Sequence, residues 1–110
     1  MTFSKVTAIF DELKLQDVEQ ALVRHKIQGY TLHPVRGKGR YFDSFNSSGL
    51  VKHIQMEIIT VGKRAGEIGE IIAEAAYSNT DSEGLVAVEP VSEMRWIHDR
   101  RLATADDFEN

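Results

Sequence analysis

The sequence contains no cysteine. Disulfides, cysteine-ligated zinc, iron–sulfur clusters and thiol nucleophiles are thereby excluded. No apolar stretch approaches the roughly 20 residues that a membrane-spanning helix needs. The opening residues, Met1-Thr2-Phe3-Ser4-Lys5-Val6, lack the long apolar run that follows a basic start in a secretory signal. A basic excess is missing as well: 13 Lys and Arg stand against 17 Asp and Glu, for a net charge of −4. A phosphate backbone rewards a basic surface, so nucleic acid is a poor partner for such a chain. Proline is scarce, with only Pro34 and Pro90, and neither repeats nor low-complexity segments occur. The expectation is a soluble, cytoplasmic protein.

What is present suffices for one core. The 110 residues are 42% hydrophobic and 27% charged, the balance of an ordinary domain of about 100–150 residues. Phe3 to Phe10 reads as a strand with Val6, Ala8 and Phe10 on one face and Thr7 and Ile9 on the other. The polar pair Asp11-Glu12 leads into a helix from Gln16 to Lys26, whose stripe is Val18, Ala21, Leu22 and His25. Gly29 suits the turn that follows. Tyr30 to Arg36 reads as a second strand, in which Pro34 calls for a bulge or an edge position. Gly37 to Gly49 has no period and reads as a functional or mobile loop.

His53 to Val61 alternates cleanly, with Ile54, Met56 and Ile58 against His53, Gln55 and Glu57, the pattern of a half-buried antiparallel strand. A second helix carries the stripe Ile68, Ile71, Ile72, Ala75 and Ala76 opposite Glu67, Glu70 and Glu74; Gly66 and Gly69 each weaken it by roughly 1 kcal/mol. Ser78 to Glu83 is a polar turn. Leu85 to Val88 reads as a short apolar strand at the sheet centre, ended by Pro90, and Val91 to Ile97 as a fifth strand. From Asp99 to Asn110 a loose, charged tail is expected. The order strand, helix, strand, strand, helix, strand predicts an α+β, ferredoxin-like βαββαβ sandwich over residues 1–110. Its open face, with Ile9, Ile59, Val88 and Trp96, then calls for a partner surface and so for oligomerisation.

The residues also carry a resemblance. Ala8-Ile9-Phe10 followed by Leu13-Lys14-Leu15-Gln16-Asp17-Val18 resembles the opening strand and helix of the PII signal-transduction family. Ile27-Gln28-Gly29-Tyr30-Thr31-Leu32 and Val35-Arg36-Gly37-Lys38-Gly39-Arg40 are similar to its second strand and Gly-x-Gly-Arg nucleotide loop. Met56-Glu57-Ile58-Ile59 and Val88-Glu89-Pro90-Val91 match its third and fourth strands, so the likeness spans about residues 5 to 98. It implies a homotrimer that binds adenine nucleotides in clefts between neighbours and regulates a transporter or metabolic enzyme through a flexible loop, here 41–49. Contact with a membrane would come only through a transporter partner.

Departures from the family pattern refine the expectation. Only Tyr41 to Lys52 is available for the loop, which puts its covalent modification in doubt. Tyr41 stands where the family has a glutamine and His53 where it has a lysine, so two groups that hold 2-oxoglutarate are missing. Ser82-Glu83-Gly84-Leu85 replaces Gly-Asp-Gly-Lys, and Trp96-Ile97-His98 replaces an Arg-x-Arg strand, with Arg100 and Arg101 close behind. AMP, ADP or cyclic AMP is therefore implied in preference to ATP with Mg²⁺. The Gly-Tyr-Thr and Ser-Ser-Gly stretches look more like the PII-like proteins of bicarbonate transport or carboxysomes, which adds bicarbonate as a second ligand.

The nucleotide contacts so implied are Ile9, Thr31, Gly37, Lys38, Gly39 and Arg40, with Glu57, Gly84, Arg100 and Arg101. In Gly37-Lys38-Gly39-Arg40 the glycines let backbone N–H groups close on a phosphate while Lys38 and Arg40 supply charge; the bland alternative is a flexible turn with two solvated cations. Glu57 is either an exposed sheet residue, or one side of an intersubunit ion pair, or a nucleotide contact. Arg100 and Arg101 are either a solvated pair or phosphate ligands. Tyr41, Phe42 and Phe45 are candidate anchors for a partner, or fold back onto the body. No catalytic set is apparent, which disfavours a small enzyme of acylphosphatase-like fold. The four histidines are not clustered, which disfavours a metal-binding trimer like the CutA relatives of PII, although His53 and His98 could meet across a trimer.

Overall fold

The β-branched and aromatic opening run forms strand β1, Phe3–Phe10. In the computed structural model, which describes residues 3–38, 51–78 and 84–108, its side chains Val6, Ala8 and Phe10 are buried. Asp11 ends the strand and accepts a hydrogen bond of 2.9 Å from the Leu13 N–H, capping the short 3-10 turn Glu12–Lys14. Helix α1, Leu15–Arg24, follows and buries Val18, Ala21 and Leu22. His25 is not part of that buried stripe. It is the exposed C-cap, because the chain is already leaving the helix there. The reversal is made by Lys26 at φ 62°, not by Gly29. Lys26 N–H donates to the Val23 carbonyl at 3.0 Å and Ile27 N–H to the Leu22 carbonyl at 2.9 Å. This is the paired bonding of a Schellman cap, and Ile27 turns inward to complete it.

Strand β2, Thr31–Gly37, and strand β3, Val51–Val61, lead to helix α2, Gly62–Ala76, and strand β4, Gly84–Val91. The sheet order is β2-β3-β1-β4, with every neighbouring pair antiparallel. That is the ferredoxin-like arrangement, and both helices cover the same face. Pro34 pairs with Ile54 in unbroken register on an edge strand, so its solution is the edge position and not a bulge. The core between layers is Val6, Ala8, Phe10, Met56 and Ile58 from the sheet against Val18, Leu22, Ile68 and Ile72 from the helices. Burying each large aliphatic side chain there contributes about 1.5–3 kcal/mol. Gly69 belongs to the contact: a Cβ on it would meet Val86 Cγ1 at 3.2 Å, so its hydrogen lets α2 sit close to β4.

Four expectations for the strands of the C-terminal third are overturned. β4 is an edge strand, not the sheet centre, and it runs through Pro90 to Val91 opposite Phe3. An edge tolerates proline because one side of the strand has no ladder to supply. Val88 lies opposite Val6, which places it on the helix face and not on the open face. The predicted fifth strand is only Arg95–Trp96, β5, paired with Arg101–Leu102, β6, in a separate hairpin.

The expected loose tail is instead structured as far as Phe108. A 3-10 turn, Ala105–Phe108, brings the Phe108 ring to 5.4 Å from Phe3 and 6.0 Å from Trp96. That contact accounts for the burial of Phe3 on the otherwise open face. Trp96 likewise packs within its own chain rather than waiting for a partner surface.

Candidate functional site

The residues implicated by sequence fall at three levels along the sheet. At one end, β2 delivers Gly37 and the exposed Lys38, β1 delivers Ile9, and β4 begins with Gly84. Gly84 has φ +120°, and a Cβ built on it would lie 1.9 Å from the Ile9 carbonyl oxygen. Only glycine permits that approach, which seats the start of β4 against the end of β1. Beside it, Ile9, Gly84 and Leu85 line an apolar cleft of about 410 Å³ with Ile72, Ala76 and Tyr77 of α2's C-terminal end. Gly39, Arg40, Tyr41, Phe42 and Phe45, with the rest of the expected loop 41–49, lie outside the described residues.

At the middle of the open face, register sets Thr31 opposite Glu57 and Glu57 opposite Thr7. A carboxylate on a sheet is costly unless paired, and Glu57 is paired: Gln55 Nε2 donates to its Oε2 at 2.9 Å. Lys5 stands one position along on β1 and meets Glu89 Oε1 at 3.1 Å. Its pKa is raised, first by the Glu89 hydrogen bond and charge and then by the Glu57 charge. The face is therefore a polar lattice rather than an apolar sheet, with Ile59 exposed within it. His53 shares this face yet is 2% exposed; it sits on an interior strand opposite Val35. Among the described residues, no group of three metal-ligating side chains comes together.

At the far end of the sheet, the C-terminal hairpin holds Arg100 and Arg101. Arg100 is exposed, at φ 54°, and its N–H closes the turn on the Trp96 carbonyl at 2.8 Å. Arg101 is already engaged: its Nη2 donates to Asp107 Oδ1 at 2.9 Å and its Nη1 to Asp107 Oδ2 at 3.1 Å. Asp107 Oδ2 also accepts from Trp96 Nε1 at 2.9 Å and from the Thr104 N–H at 2.8 Å. These bonds, the Arg101 pair foremost, hold the Asp107 carboxyl well below the usual carboxylate range. Sequence reading missed Asp107, although Thr104-Ala105-Asp106-Asp107 has the Thr-x-x-Asp spacing of a capping box.

One chain does not gather these groups. Phe108 fixes the hairpin's tail beside Phe3, at the opposite end of β1 from Ile9 and Gly84. The intervening strand length is roughly 20 Å at about 3.3 Å per residue.

Comparison with known proteins places the chain. The family model described as nitrogen regulatory protein P-II matches residues 3–101. The nitrogen regulatory protein P-II of Porphyra purpurea is 31% identical, over 92% of this chain and 96% of its own length. The nitrogen regulatory protein GlnK of Escherichia coli K12 is 28% identical, over 93% and 95%. Among solved structures, Arabidopsis thaliana PII bound to citrate superposes with a TM-score of 0.81 at 27% identity, covering 98% of this chain and 92% of that one. A match along almost the whole chain, in sequence and in fold, leaves one conclusion: the chain belongs to the nitrogen regulatory protein P-II family, whose members are signalling regulators and not enzymes.

Proposed function

We propose that this protein is a homotrimeric PII-like regulator that senses an adenine nucleotide between neighbouring subunits and signals to a transporter or metabolic enzyme through residues 41–49. The observation that carries the reading is the division of its implicated residues. Ile9, Gly37, Lys38 and Gly84 stand at one end of the sheet, Arg100 and Arg101 at the other. A ligand of nucleotide size reaches both groups only where one copy's hairpin meets another copy's Gly37–Lys38 end.

The ligand chemistry follows from what each end offers. Gly37-Lys38-Gly39-Arg40 would cradle a phosphate by backbone N–H groups and two cations. The apolar cleft beside Ile9 and Gly84 suits the flat face of a base. Glu57 and Thr31, side by side across β2 and β3, offer polar groups toward the same ligand. Loss of the phosphate-facing lysine at Leu85 favours AMP, ADP or cyclic AMP over ATP with Mg²⁺, and bicarbonate is proposed as a second ligand.

The signal would pass from Arg40 and Tyr41 at the base of the loop to Phe42 and Phe45, its partner-binding anchors. A nucleotide can bias partner docking by no more than its differential affinity for the two loop states. Hydrogen exchange across residues 41–49 tests this reading. Saturating nucleotide should raise protection there, whereas protection that is high without ligand and unchanged by it would leave no switch.

A further inference from the structure

The carboxylate of Asp107 occupies a ready-made anion cradle. Two of its donors are side chains of the hairpin, the Arg101 guanidinium in a two-pronged grip and the Trp96 indole N–H. The third, the Thr104 N–H, belongs to the same terminal turn as Asp107 itself. The hairpin has closing bonds that do not involve that turn. Its own backbone closes it, with Arg100 N–H on the Trp96 carbonyl and Ala103 N–H on the Met94 carbonyl, both at 2.8 Å.

The turn, by contrast, is four residues long and buries none of them. Beyond Asp107, the Phe108 ring packs against Phe3 and Trp96, and the turn lies beside β3 near Ile59 and Thr60. The fork geometry of Arg101 fits a phosphate as well as it fits a carboxylate.

We propose that Asp107 is a built-in competitor for the ligand's phosphate, so that residues 104–108 form a latch that closes the Arg101 cradle until a nucleotide displaces it. The inference rests on the nucleotide reading above. An internal carboxylate acts at a high effective concentration, so a lone small anion displaces it poorly. A nucleotide held by its other contacts on the neighbouring subunit supplies the remaining free energy. The latch thus selects ligands that engage both ends of the site together. Its release also frees Phe108 from Phe3, so occupancy of the cradle is transmitted to the end of β1.

Trp96 reports the latch directly, because it is the only tryptophan in the chain and bonds to Asp107. The experiment is titration of the full-length protein and of Asp107→Asn with ADP, read by calorimetry and by Trp96 emission. Asp107→Asn should bind ADP about tenfold more tightly, in the usual range of a coupling between two competing contacts. In the parent, saturating ADP should move Trp96 emission to that of the ligand-free variant. ADP that binds both proteins equally and leaves Trp96 unchanged would overturn the latch and leave the nucleotide reading standing. If neither protein binds ADP, the same titration is run with AMP and cyclic AMP, and no binding of any of the three to either protein would remove that reading and this inference with it. Should Asp107→Asn fail to fold, the ADP response of Trp96 in the parent decides alone.

Discussion

Gly84 and Ile9 meet where no other residue pair could: with φ at +120°, a Cβ on Gly84 would stand 1.9 Å from the Ile9 carbonyl oxygen. The contact joins the first residue of β4 to the last turn of β1 in the register Phe10 to Gly84. Gly84→Ala should therefore destabilise the fold by about 3 kcal/mol, through positive-φ backbone strain and a clash with backbone that cannot yield. Urea denaturation measures it. A loss below about 1 kcal/mol would mean that β4 can start elsewhere without cost.

Gly66 makes the opposite case. It lies in α2, is exposed, and a Cβ on it would meet nothing within 4 Å. Gly66→Ala should stabilise the protein by about 1 kcal/mol, since alanine lowers the entropy of the unfolded chain and favours the helix. Thermal unfolding of the two proteins side by side reads the difference as a higher midpoint. A lowered midpoint would show that Gly66 faces something in the assembled protein.

Acid should leave the C-terminal latch closed over an unusually wide range. The folded-state pKa of Asp107 lies below its unfolded value, so its stabilising effect is complete above about pH 4 and fades as pH falls through the folded value. The groups bonded to it are Arg101, Trp96 and Thr104, with Asp99 on the far side of Arg101 at 3.9 Å, and Lys26 and Arg64 line the same pocket. Trp96 emission should be flat from about pH 7 to pH 4 and change only at stronger acidity. A transition centred near the ordinary carboxylate value of 3.8 would contradict the hydrogen bonding described here.

The layers of the fold were legible because burial imposes a period. The stripes of Val18, Ala21 and Leu22 and of Ile68 and Ile72, and the alternation from Ile54 to Ile58, follow from one face meeting a core. Elements without a period were not legible. β5 and β6 have two residues each, too few to alternate, and the tail is held by Asp107, Arg101 and Phe108, a polar cluster and one ring. Pro90 misled because proline's meaning in a strand depends on edge position, which the local sequence does not carry. Lys26 likewise took a left-handed cap that glycine usually fills.

For the site, glycine placement was legible and charge pairing was not. Gly37 and Gly84 sit at strand ends, where the motifs put them. Arg101 reads in sequence as a free cation, and its engagement emerges only when Asp107 folds back onto it.

Nucleotide sensing is most directly tested by calorimetric titration of the full-length protein and of Arg40→Ala with AMP, ADP, ATP and cyclic AMP, with and without bicarbonate. The parent should bind one nucleotide per chain, with AMP, ADP or cyclic AMP ahead of ATP with Mg²⁺. Arg40→Ala should bind more weakly by about 1.5–3 kcal/mol, the loss of a charged hydrogen bond. Equal affinity in the two proteins, or no heat with any of the four nucleotides, would contradict the account.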